Sequence, residues 1–195
     1  MLLNKLKDYK IVLGSGSPRR QQFLMELGLD FEIRVKSVEE TYPLELKAGE
    51  ISAYLAELKA TALIDTLNPN EILITSDTVV WHQNTSLAKA KDASEATKML
   101  KALSNDWHEV ITSVCFSTTE DQKTVSQTTQ VKFKKITKKE IAYYIDNFKP
   151  YDKAGAYGIQ EWIGLIGIEE IKGSYPNVVG LPTHLVYSTL LAMVK

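Results

Sequence analysis

Arg19 and Arg20 follow a run of small residues, Gly14-Ser15-Gly16-Ser17-Pro18, whose pattern predicts a tight turn that enters a helix with both arginines in its first turn. A helix N-terminus presents free N–H groups and a partial positive charge, which suits an anion. Cations in that turn oppose the helix dipole, and a phosphate bridging them relieves the conflict; a solvated arginine pair is the plainer alternative. Familiar phosphate loops do not account for the segment. The third glycine of G-x-G-x-x-G is missing after Gly14 and Gly16, and no Gly-Lys-Ser/Thr follows.

A second feature is Ser76-Asp77-Thr78, a polar break inside the apolar run from Glu71 to Val80. It brings a carboxylate to the edge of a cleft, unless it is only a strand-end turn. His108 invites a Ser-His-Asp reading with Ser17 and Asp77, but no serine sits in a nucleophile-elbow sequence and the histidine opens a β-rich run. His82, His108 and His184 lack the close spacing of a zinc site.

The elements that must carry these residues alternate. Ile11-Val12-Leu13 reads as a buried strand, and the helix after Ser17 places Phe23, Leu24 and Leu27 on one face until Gly28. Phe31 to Val35 reads as a strand, and Glu50 to Leu67 as a helix ended by Asn68-Pro69-Asn70. The strand from Glu71 follows, then an amphipathic helix from Ser94 to Leu103. Two β-rich runs, Trp107 to Thr118 and Thr124 to Ile136, flank a polar hairpin. Thr137 and Glu140 are spaced as a capping box for a helix reaching Phe148, and Leu181 to Val194 closes the chain as a helix. Strands alternating with helices predict one α/β domain over residues 1–195, with 1–10 as a short N-terminal extension.

Bulk properties bound the partners. In 195 residues, 23 Lys+Arg against 24 Asp+Glu leave a formal charge of -1, which argues against nucleic acid or an anionic membrane as partner. No apolar run approaches the ~20 residues of a membrane span, and the start lacks a secretory signal. The single Cys115 lies in an apolar strand and fits a reducing compartment, so a cytoplasmic address is expected.

The ordered landmarks are Ser15-Gly16-Ser17-Pro18-Arg19-Arg20, Val38-Glu39-Glu40, Lys59-Ala60, Ser76 to Val80, Leu87-Ala88-Lys89, His108 to Thr112, Asp152 to Gln160 and Gly173 to Pro182. The set resembles the Maf family of nucleoside triphosphate pyrophosphatases across residues 11 to 194. The resemblance implies an elongated two-lobed α/β fold of the Maf/ITPase kind, with a central twisted mixed sheet flanked by helices and an active-site cleft between the lobes. It implies a nucleoside triphosphate as substrate and allows a homodimer; its other reading is a nucleotide-binding regulator of septum formation.

On the matched positions, Ser15, Arg19, Arg20, Lys59 and Lys89 supply a hydroxyl and four cations to cradle a triphosphate. Glu40 and Asp77 are the expected carboxylates for Mg²⁺ or Mn²⁺, and Asp77 is the expected proton acceptor for the attacking water. The loop Ala154-Gly155-Ala156-Tyr157-Gly158-Ile159-Gln160 matches the branch acting on dTTP and UTP. The amide of Gln160 can pair with an imide edge, and Arg19 and Thr78 are linked to the same choice. Three positions depart from the family's usual residues: Gly14 for alanine, Ala90 for proline and Glu161 for glycine.

Overall fold

The computed structural model describes residues 1–194. From the amino terminus come helix α1 (Leu2–Lys5), strand β1 (Lys10–Leu13), helix α2 (Pro18–Glu26), strand β2 (Phe31–Ile33) and helix α3 (Gly49–Thr61). Strands β3 (Glu71–His82) and β4 (Thr85–Ser86), helix α4 (Ala93–Leu103), and strands β5 (Trp107–Ser117) and β6 (Gln122–Phe133) follow. The chain ends with helices α5 (Lys138–Phe148) and α6 (Trp162–Gly167), strand β7 (Ile168–Lys172), and helices α7 (Tyr175–Val179) and α8 (Thr183–Met193).

All strands join one mixed sheet in the order β2-β1-β3-β5-β6-β7, with β4 paired to β3. β1 is parallel to both β2 and β3, whereas β3, β5, β6 and β7 pair antiparallel. The register sets Thr78 beside Thr112, a pairing that matters at the site. Helices cover the sheet. Buried side chains form separate clusters: Leu13, Leu24, Val186 and Leu190 pack around β1, α2 and α8, while Leu100, Val131, Phe133 and Tyr144 pack around α4, α5 and β6. The second of these clusters, with Val80, Val110 and Tyr157, reaches the wall of the main cleft.

Local chemistry explains several boundaries. Ser17 is the N-cap residue of α2 and Pro18 its first residue, while Thr137 and Glu140 form the expected capping box on α5. β2 stops at Ile33, short of Val35, and α3 stops at Thr61, followed by a 3-10 turn at Ile64–Thr66. The polar break at Ser76-Asp77-Thr78 is no strand end, since β3 runs on to His82. Residues 1–10 are also more than an extension. Leu2 and Leu6 are buried in the same cluster as Leu24 and Leu190, so they complete one lobe's core. No helix among the described residues is long and apolar enough to cross a membrane.

Candidate active site

The main cleft encloses about 370 Å³ and is lined by the loop after β1, the middle of β3, α3 and the segment 152–160. One end is charged. Lys59, on α3, points at β3 and places its Nζ 2.6 Å from Asp77 Oδ1 and 2.8 Å from Glu40 Oε1. Lys89 Nζ lies 3.3 Å from Glu40 Oε2. One ammonium thus draws two carboxylates from distant segments to one place. Burial raises the Asp77 carboxyl above its ordinary value, opposed by Lys59 and Arg20. Burial acts on Glu40 in the same sense, but Lys59 and Lys89 outweigh it and hold that carboxyl low. The surroundings thus shift the two carboxyls in opposite directions, Asp77 up and Glu40 down.

Arg20 has a different surrounding. Its Nε donates to Gly180 O at 2.9 Å, Nη1 to Ser76 O at 2.9 Å and to Ser15 Oγ at 3.3 Å, and Nη2 to Thr78 Oγ1 at 3.2 Å. All four acceptors are neutral, so the guanidinium fastens α2 to β3 and to the turn before α8 while leaving its charge at the cleft. The sequence groups it with the phosphate-gripping cations; here most of its donors already serve the protein. Arg19 is freer, 3.4 Å from Asp152 Oδ2 with both side chains solvent-accessible. Ser15 Oγ accepts from Ser17 N and Arg20 Nη1, each at 3.3 Å, which keeps its own proton for a ligand.

The cleft also has an apolar wall. Val80, Val110, Tyr157, Val178 and Val179 form it from one of the hydrophobic clusters, and Thr78 and Gln160 are further polar groups of the lining. Gln160 is exposed, and its amide has no hydrogen-bond partner among the described residues. The adjacent Glu161 is turned away: Oε1 pairs with Lys153 Nζ at 3.1 Å, and Oε2 accepts from the Tyr144 hydroxyl. Of the two neighbours, Glu161 is engaged with the protein and the Gln160 amide is not.

The other departures also have local explanations. A β-carbon on Gly14 would lie 2.6 Å from Thr75 Cγ2, so glycine is the residue that fits beside Thr75. Ala90 is buried in the core, and Lys89 is held by its backbone bridge to Ala154 instead of by a following proline.

Asp152 and Lys153 are cleft residues that the residue-by-residue reading missed. Lys153 is 9% exposed and lies 2.6 Å from Asp152 Oδ1, so it ties the Arg19 side of the cleft to the Gln160 loop. Their only sequence signal is membership in the Asp-Lys-Ala-Gly block, because one lysine on an irregular segment shows no periodicity. His108 does not join Ser17 and Asp77. It is buried, its Nε2 is 2.7 Å from the Tyr157 hydroxyl, and burial holds it down to about 3, so it is neutral in the core. His82 pairs with Asp106, and His184 is exposed.

A mixed α/β scaffold whose cleft brings together cations, two carboxylates and an apolar wall suits a nucleotide-binding class of protein. The family model described as "Maf-like protein" matches residues 10–193, and the chain belongs to that family. It is 59% identical over 194 residues to a protein of Flavobacterium johnsoniae named dTTP/UTP pyrophosphatase, covering 100% of both chains. It is 53% identical over 195 residues to one of the same name from Christiangramia forsetii, again covering 100% of both. A solved nucleoside-triphosphatase / dITP/XTP pyrophosphatase from Mycobacterium abscessus is similar at 13% identity with a TM-score of 0.49, over 94% of this chain and 95% of that one.

Proposed function

We propose that this chain hydrolyses dTTP and UTP to the nucleoside monophosphate and pyrophosphate. The observation that carries the proposal is the Lys59 bridge, which gathers Asp77 and Glu40 within 2.6 and 2.8 Å of one ammonium in a cleft that also offers a neutral wall. The printed names of the full-length relatives support the same reaction.

Each residue has a task in that reading. Arg19, Lys59 and Lys89 take the triphosphate oxygens, and Arg20 adds its fixed charge from behind. Asp77, made more basic by burial, accepts the proton of a water that attacks the α-phosphorus in line as the bond to the β-phosphate oxygen breaks. Among the described residues no group of three or more His, Cys, Asp and Glu gathers into a metal cage. A pair of carboxylates nevertheless fits Mg²⁺ or Mn²⁺, which take one or two carboxylates together with substrate phosphates. Asp77 Oδ2 accepts no hydrogen bond from the described residues, which leaves it available as a ligand beside Glu40. Such an ion supplies Lewis-acid polarisation of the phosphoryl oxygens. The buried Cys115 suits a reducing compartment, and we place the activity in the cytoplasm.

The test is a panel of nucleoside triphosphates assayed with Mg²⁺ and with Mn²⁺ for pyrophosphate, orthophosphate and nucleoside monophosphate. Equimolar pyrophosphate and monophosphate from dTTP and UTP is the expected result. Tight nucleotide binding without turnover would support the regulator reading instead.

A further inference from the structure

Gln160 cannot by itself tell uracil from cytosine. Uracil and thymine present a donor at N3 and an acceptor at C4, and cytosine presents the reverse. A terminal amide carries both a donor and an acceptor on one planar group, and turning it by half a revolution exchanges them. With no hydrogen bond fixing the Gln160 amide among the described residues, it can suit either base. Discrimination needs a group in the cleft whose polarity is fixed.

The hydrogen bonds around Thr78 fix one. Thr112 Oγ1 lies 2.9 Å from the backbone oxygen of Asn177, which can only accept, so the single hydroxyl proton of Thr112 is used there. Thr78 Oγ1 lies 3.0 Å from Thr112 Oγ1, and because Thr112 has no second proton, Thr78 must be the donor. Arg20 Nη2, which can only donate, lies 3.2 Å from Thr78 Oγ1 and occupies one of its lone pairs. Polarity therefore runs one way, from Arg20 through Thr78 and Thr112 to the Asn177 carbonyl. What remains on Thr78 is one lone pair and no proton.

The chain is anchored in rigid surroundings. Thr112 and Asn177 are both fully buried, and the Asn177 amide donates to Val110 O at 3.0 Å and to Thr129 Oγ1 at 2.9 Å. Thr78 itself lines the cleft beside the apolar wall.

We propose that Thr112, held by the Asn177 carbonyl, is a specificity-positioning residue: it makes Thr78 an obligatory acceptor that admits the N3–H of uracil and thymine and opposes the bare N3 of cytosine. The inference rests on the pyrimidine reading given above. Two acceptors facing each other leave both buried groups unpaired, which typically costs about tenfold or more in discrimination.

The experiment measures kcat/KM for UTP, dTTP and CTP in the native protein, Thr112→Val and Thr112→Ser. Valine keeps the shape but removes the acceptor, so the Thr78 hydroxyl can rotate and donate. The UTP:CTP ratio should then fall by about tenfold, chiefly through a gain on CTP, while serine restores the native ratio. A role confined to packing would lower all three substrates together. A ratio in Thr112→Val that stays native while the native protein prefers UTP would overturn the relay and leave the pyrimidine reading standing. Equal native values for UTP and CTP would overturn that reading, and the relay with it. If Thr112→Val does not accumulate as folded protein, Thr112→Ala is measured in its place and the same ratio decides.

Discussion

The charged end of the cleft and the network behind its apolar wall are built from opposite principles. At the charged end, Lys59, Lys89, Asp77 and Glu40 satisfy one another, so each cation that would grip a phosphate must first loosen a carboxylate. Behind the cleft wall, Arg20 donates to Thr78, and Thr78, Thr112 and the Asn177 carbonyl form hydrogen bonds whose direction is already set. In the reading proposed above, the first arrangement would exchange partners when a triphosphate binds, whereas the second is tied to buried groups. The proposal separates reaction from selection: variants at the charged end should change the rate for every substrate, and variants behind the apolar wall should change the ratio between substrates.

The largest expected effect is at Asp77. Asp77→Asn keeps the size but removes both the base and a negative ligand, and losing a general base alone typically lowers kcat by ~10²- to 10⁴-fold. Stability should not fall, because a buried carboxyl whose value is raised is disfavoured in its charged form. Thermal melting beside steady-state kinetics checks both halves; near-native turnover of dTTP would remove Asp77 from its role. In the native protein the base must be ionised, so kcat/KM should fall as pH decreases through the Asp77 titration.

Arg19→Ala and Lys89→Ala should each lower kcat/KM by about tenfold to a hundredfold, equally for UTP and CTP. Both cations sit at the exchangeable end, Arg19 against Asp152 and Lys89 against Glu40. A changed UTP:CTP ratio in either variant would break the proposed separation.

A charge pair outside the cleft supplies the contrast. Arg34 meets both oxygens of Glu71, at 3.0 and 3.1 Å, and this hydrogen-bonded pairing pulls the Glu71 carboxyl from 4.5 to about 2. A depressed folded value means that the stabilisation is fully present above 4.5 and is lost as pH falls from there towards about 2. Arg34 keeps some solvent contact, which screens the pair, so Glu71→Gln should cost about 1–2 kcal/mol at neutral pH. It should also flatten the acid limb of stability while leaving kcat/KM unchanged. Melting temperatures across pH 2 to 7 measure this. An activity loss matching that of Asp77→Asn would mean that the pair is coupled to the cleft.

Much of this arrangement was legible because local chemistry specifies it. The α2 start, the α5 capping box and the β5–β6 hairpin follow from caps, turns and alternation. Strand β7, Ile168-Glu-Glu-Ile-Lys172, was not legible, because its charged residues give no apolar run, and only pairing with β6 makes it a strand. Helix α6 carries two glycines, one of which, Gly164, lies against the Ile159 backbone too closely for any side chain. Glu40 and Lys59 were found by their matched motifs alone, since periodicity does not say that Lys59 turns inward between Leu58 and Ala60. Thr112 was legible only as the last residue of the matched block His108 to Thr112, with no sign of what its side chain does. A threonine in a β-rich run reads as a strand former, and the role proposed for it rests on cross-strand register and on a carbonyl 65 residues away in sequence.

The smallest expected effect belongs to Gln160. Its amide is exposed and unanchored, so losing it removes about one hydrogen bond's worth of affinity, or roughly fivefold to tenfold in kcat/KM. Because a turning amide serves both bases, Gln160→Ala should lower UTP and CTP alike and leave their ratio near native. Thr112→Val is expected to do the reverse, moving the ratio while largely sparing UTP. Combining the two substitutions then measures their independence: if the amide supplies affinity and the threonine relay supplies polarity, the effects on log kcat/KM should add. Should Gln160→Ala alone abolish the preference for UTP, the amide must be locked in one orientation by the bound nucleotide itself. Selection would then belong to the Gln160 loop, and the contrast between an exchangeable end and a fixed network would fail where it is most specific.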